Sequence, residues 1–213
     1  DGKITKEIAI KILYLTNHHA EEDLKKNHPD IESKRRACYE NDVEYKQACH
    51  VYLEAKEKSY VKASEMVINN FNTTQEDLQK ILEKVEPQEI EAEYAIHDKI
   101  VFKDGEKPDK NKAKEGFLYY GNKFMEEMQG LTSQLRVMQQ NMSFNPQDQQ
   151  AAQEMAMFSL MTAKMKCEDM LYNKFSLSEN QIKFLIKDYD LMYDPDVMAV
   201  QEKISTFEKS MMQ

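Results

Sequence analysis

From Phe117 to Met142 the apolar residues fall at alternating steps of four and three: Phe117, Gly121, Phe124, Met128, Leu131, Leu135, Met138 and Met142. That spacing is a coiled-coil seam, and a helix carrying it must lay the stripe against another helix to remove it from water. A second seam of the same kind, Val197, Val200, Ile204, Phe207 and Met211, follows Asp194-Pro195. Between the two, Asn145-Pro146 has the order of an N-cap followed by proline at the first helical position. It opens a helix expected over about 146–173. Of the 15 residues from Ala151 to Met165, ten are Ala, Met, Leu or Phe and only Glu154 and Lys164 are charged, which predicts burial on every side. Helices of about 109–142 and 146–173 are therefore expected to pair as an antiparallel hairpin.

The N-terminal half reads as helical too. Ile4, Ile8, Ile12 and Leu15 line a helix from near Thr5 to Asn27, stopped at His28-Pro29 because the residue before proline is pushed out of helical backbone. Ile31, Cys38, Tyr45, Tyr52 and Met66 then recur on a seven-residue grid, with Tyr60 in a parallel row. That grid predicts one rod over 30–69, about 60 Å long at the helical rise, with tyrosine rings buried and their hydroxyls at a wet rim. Thr73 and Glu76 have capping-box spacing ahead of Leu78, Ile81, Leu82 and Val85. Ile90, Tyr94, His97 and Val101 repeat the stripe over 88–101, and the lysine-rich stretch around Gly105 and Pro108 reads as a polar loop. Ser178 with Gln181 caps a short helix carrying Ile182, Leu185 and Ile186.

These elements make an all-α protein: an elongated helical bundle of antiparallel coiled-coil hairpins with one helix of ~40 residues. Its expected organisation is an N-terminal helical region 1–102 containing the rod, a polar loop 103–114, and a C-terminal region 115–213 holding the hairpin and the terminal amphipathic helices. Composition supports the helical reading. Only 5 Gly and 5 Pro are available for turns in 213 residues, there is no Trp, and 31% of side chains are charged. No alternating run of β-branched residues bounded by turn pairs announces a hairpin of strands.

The net charge of −9 is spread along the chain, and the basic runs Lys25-Lys26 and Lys34-Arg35-Arg36 are followed at once by acids. Such a chain repels phosphate backbones, so no nucleic-acid partner is expected. No apolar run approaches the roughly twenty residues of a membrane span. Three cysteines, Cys38, Cys49 and Cys167, make an odd count without a C-x-x-C pair; this points to a reducing intracellular compartment. A mitochondrial setting fits if the first residue, Asp1, reflects processing. The triplets Asn72-Thr73-Thr74 and Asn141-Met142-Ser143 match the glycosylation pattern at a frequency that chance supplies.

The chemistry-bearing residues do not assemble into a catalytic pattern. The residues three before the histidines are not glutamates, which excludes a di-iron bundle. His18 and Glu22 stand one turn apart, but the adjacent His19 projects about 100° away, so a solvated face is the expectation rather than a metal. A calcium loop opened by Asp188 would place Met192, Tyr193 and Ala199 where an acid or amide, a glycine and a glutamate are required. Capping near Asp194-Pro195 explains those acids better. Cys49 and His50 diverge as helix neighbours, the wrong geometry for a thiolate–imidazole pair.

Nine of the 14 methionines lie between Met125 and Met170, in a charge-poor stretch. The expected role is therefore a non-catalytic structural or accessory subunit of a larger assembly, without cofactor or metal, meeting other protein subunits through helix–helix contacts in an oligomer or hetero-complex. The other reading is a soluble helical adaptor that recruits a partner helix to a methionine-rich groove. The candidate contact residues are Tyr45, Tyr52, Tyr60, Phe117, Phe124, Met128, Leu131, Leu135, Met138, Met142, Val197, Ile204, Phe207 and Met211.

Overall fold

The computed structural model describes residues 4–90, 94, 102, 107–140 and 146–211. Within that set, the side chains of residues 135, 136, 138–140, 146–149 and 208–211 are outside the description. Among the described residues helix is the only regular structure. The helices are α1 (Lys6–Asn27), α2 (Ile31–Ala37), α3 (Asp42–Asn70), α4 (Gln75–Leu82), α5 (Lys110–Gln140), α6 (Pro146–Phe175), α7 (Glu179–Asp188) and α8 (Pro195–Met211), with a 3₁₀ turn at Leu191–Tyr193 between the last two. The chain is all-α. It divides into two compact units: residues 1–38 with 43–101, and residues 102–213 with the turn 39–42.

In the first unit, Thr5 caps α1 by accepting from the Ile8 amide at 3.3 Å, and the His28 amide closes the helix on Leu24 O at 2.8 Å. Ala9, Ile10, Ile12, Thr16, Ala20 and Leu24 are its buried residues. Ala9 and Ile12 share a core with Val67 and Ile68 of α3 and Leu78 of α4. Thr74 caps α4 through the Asp77 amide. The working pair is thus Thr74 with Asp77 rather than Thr73 with Glu76, one residue further along.

The ~40-residue rod does not exist. The grid from Ile31 onward is broken at 38–41 into α2 and α3, of 7 and 29 residues. Cys38 leaves helical backbone, its amide and its Sγ both donating to Arg35 O at 3.3 Å, which tightens the last turn of α2 and stops it. Asn41 and Asp42 follow, residue types whose short side chains compete with a helical backbone and favour a new start. Asn41 precedes Glu44 by the capping-box interval. Across this break Arg35, buried at 3% exposure, lays its guanidinium 4.3 Å from the centre of the Tyr52 ring.

The second unit is built on α5, against which α6, α7 and α8 all pack. Phe117 and Tyr120 of α5 meet Cys167, Leu171 and Phe175 of α6, while Met128 and Leu131 further along α5 meet Ala163, earlier in α6. The two helices therefore run antiparallel. Ile182, Leu185 and Ile186 of α7 and Val197 and Val200 of α8 complete the same core. Gly121 sets the approach of α8: a Cβ there would overlap Val200 Cγ1. Ser178 and Gln181 form the full reciprocal capping box at the start of α7.

Candidate functional site

A set of ionisable groups in the second unit lies where α5, α6 and α7 meet. The capping box fixes Glu179 as the first residue of α7, and the helix periodicity puts Lys183 one turn on, Nζ 2.7 Å from Glu179 Oε1. Lys164 of α6 approaches the other carboxylate oxygen at 3.8 Å. Tyr120 of α5 hydrogen-bonds Glu179, and Glu168 of α6 lies beside them. Burial alone would raise the Glu179 carboxyl, but the Lys183 hydrogen bond and the charges of Lys183 and Lys164 outweigh it and hold it below the usual carboxylate range. Burial, the negative charges of Glu179 and Glu168, and the hydrogen bond to Glu179 push the Tyr120 phenol upward. Cys167, fully buried beside this cluster, is pushed up to about 12 by burial and by Glu127 and Glu168.

The arrangement can hold helices together, and it is poorly suited to chemistry. A phenol and a thiol driven upward keep their protons at neutral pH, so neither is a nucleophile. The carboxylate is ionised but spent on two ammonium groups. This cluster went unread in the sequence, although the pairs Lys164/Glu168 and Glu179/Lys183 stand four residues apart with opposite charge. What the sequence could not supply was Tyr120, which reaches the cluster from another helix.

The other constellations resolve as surface features or caps. His18 Nε2 and His19 Nδ1 each stand 3.5 Å from the Glu22 carboxylate, with the Tyr14 ring stacked 6.1 Å from His18. Among the described residues no group of His, Cys, Asp or Glu has the arrangement of a metal site. Asp194 Oδ1 accepts from the Asp196 and Val197 amides at the start of α8, and Lys114 pairs with Asp194 at 2.8 Å and Asp196 at 2.7 Å. Lys107 takes Asp188 at 2.6 Å. None of the three cysteines forms a disulfide.

The residues named for outside contacts are largely engaged within the chain. Tyr45 is buried, Tyr52 holds Arg35 and Tyr60 is half-buried. Phe117, Met128, Leu131 and Val197 are core residues, and Phe124, Ile204 and Phe207 pack against those cores half-buried. Leu135, Met138 and Met211 have side chains outside the description, and Met142 lies outside the described residues, as do Asn145, the sequon at Asn141, His97 and Val101.

The apolar surface lies elsewhere. On α6, Met155, Met157 and Met161 are 55%, 55% and 44% exposed, and Val137 of α5 is 57% exposed. Burial of α6 on every side is therefore corrected. Leu160, Ala163, Cys167 and Leu171 form the stripe that faces the cores. At about 100° per residue, Met161 falls about a third of a turn to one side of it and Met155 about a third to the other. The small residues Ala163 and Cys167 were the available signal for that phase.

No protein-family model, curated protein or solved structure matches this chain. No helix among the described residues is long and apolar enough to cross a membrane.

Proposed function

We propose that the chain is a non-catalytic structural or accessory subunit of a larger protein assembly, contributing helix–helix contacts. The observation that carries the reading is the exposed apolar set Val137, Met155, Met157 and Met161 on the α5–α6 pair. Methionine is unbranched and polarisable, so exposed side chains of this kind, standing on both flanks of the α6 core stripe, adapt to apolar partner surfaces. We read the α5–α6 pair as a coiled-coil-type hairpin, after the four-three spacing of its seam, with the partner helix laid beside it. The Glu179 cluster supports a structural role, because its groups are consumed in joining three helices.

The same exposed side chains also serve the reading of an adaptor that binds one partner helix and otherwise stands alone. Light scattering on the isolated chain separates the two. Aggregation or loss of order without partners favours the subunit, and a monodisperse monomer or dimer favours the adaptor. Native co-purification tests both, since the absence of any protein recovered in stoichiometric amount contradicts either one.

A further inference from the structure

The end of α7, the turn after it and the first half of α8, residues 188–202, carry five acidic residues, Asp188, Asp190, Asp194, Asp196 and Glu202, and are flanked by Lys187 and Lys203. At its centre the 3₁₀ turn and the first turn of α8 expose Met192 (39%), Tyr193 (78%) and Met198 (51%). Leu191 and Val197 beside them are buried at 2% and 0%, so the exposed side chains stand on a fixed base. Gln201 Nε2 donates to Met192 Sδ at 3.6 Å, tying the turn to the face of α8 one helical turn beyond Met198. Two lysines, Lys107 and Lys114, meet three of the carboxylates, Asp188, Asp194 and Asp196. Among the described residues no cation pairs with Asp190 or Glu202. With Lys187 and Lys203 counted beside Lys107 and Lys114, five carboxylates stand against four lysines, so these exposed apolar side chains, an aromatic ring among them, keep a net negative surround.

We propose that this patch docks a basic amphipathic segment of a partner protein. Its apolar side chains lie over Met192, Tyr193 and Met198, and its lysines or arginines face Asp190, Glu202 and the surplus charge of the Asp194–Asp196 pair. Charge complementarity selects this occupant, because like charge across an interface disfavours an acidic segment and the same field repels phosphate-bearing surfaces. The Tyr193 ring adds a face on which a cation can rest. The surface is separate from the methionines of α6, and it stands or falls independently of the subunit reading.

The chain has no tryptophan, so a synthetic amphipathic peptide of lysine and leucine with one tryptophan can be followed by its own fluorescence against the full chain. Its charge-reversed counterpart, glutamate replacing lysine, is the control. The expected result is a saturable blue shift with the basic peptide alone, weakened by salt, and weakened at least about tenfold in the double variant Y193S/M198S. The variant D190N/E202Q weakens it as well and reduces its salt dependence. Because these side chains are exposed, both variants keep the helical signal and thermal midpoint of the parent. Equal binding of the acidic peptide, unchanged binding to Y193S/M198S, or no binding of the basic peptide overturns the proposal.

Discussion

Gly121 and Gly130 sit in the same helix, nine residues apart, and alanine at the two positions has opposite consequences. Alanine ordinarily stabilises a helix interior by about 1 kcal/mol relative to glycine. At Gly130 a Cβ meets nothing within 4 Å, so G130A gains stability by about 0.5–1 kcal/mol. At Gly121 the added methyl overlaps Val200 Cγ1, and G121A loses about 1–3 kcal/mol as α8 is forced outward. Denaturant titration of both variants reads the difference. Sequence spacing marked Gly121 as a seam position, but which neighbour it admits was not legible, because that neighbour lies 79 residues away on another helix.

Glu179 gives a pH signature. Its carboxyl in the folded chain lies below its ordinary value, so its contribution is fully present above the unfolded-state pKa and is lost as pH falls through the folded one. E179Q is therefore less stable than the parent at neutral pH, by on the order of 1–2 kcal/mol for a charge-assisted hydrogen bond. The gap closes in acid, below the unfolded carboxylate range. Thermal midpoints of the two proteins across that range check it; a gap independent of pH contradicts the assignment.

Helices with a chemical start or stop were legible, and the one defined by spacing alone was not. Thr5, His28-Pro29, Ser178/Gln181 and Asp194-Pro195 mark boundaries because each satisfies or removes a backbone donor at a helix end. The 30–69 rod rested on a seven-residue grid, and such a grid carries no signal of a short break within it. The Cys38–Asp42 turn is such a break. Burial around α6 failed for a related reason, since composition counts apolar side chains without saying which way each one faces. The caps themselves can be weighed: S178A removes the hydroxyl that accepts from the Gln181 amide and costs about 1 kcal/mol. Because α7 is joined through Glu179 to α5 and α6, that loss appears as a lower unfolding midpoint of the second unit, measurable by calorimetry.

For the molecule as a whole, the fold class was readable from scarce turn residues and long amphipathic stripes, whereas which apolar side chains stay exposed was not. Seams strong enough to be seen in sequence, such as Phe117–Leu131 and Val197–Val200, are those the chain uses for its own cores. The weaker pattern between them leaves methionines exposed, and the proposed subunit role rests on these. Affinity purification from the native source with quantitative mass spectrometry, comparing the parent with M155E/M161E, tests this. The expected result is one or more proteins recovered in stoichiometric amount with the parent and at least about tenfold less with the variant, which keeps the parent's thermal midpoint because both side chains are exposed. Equal recovery by the two, or no stoichiometric partner with either, contradicts it.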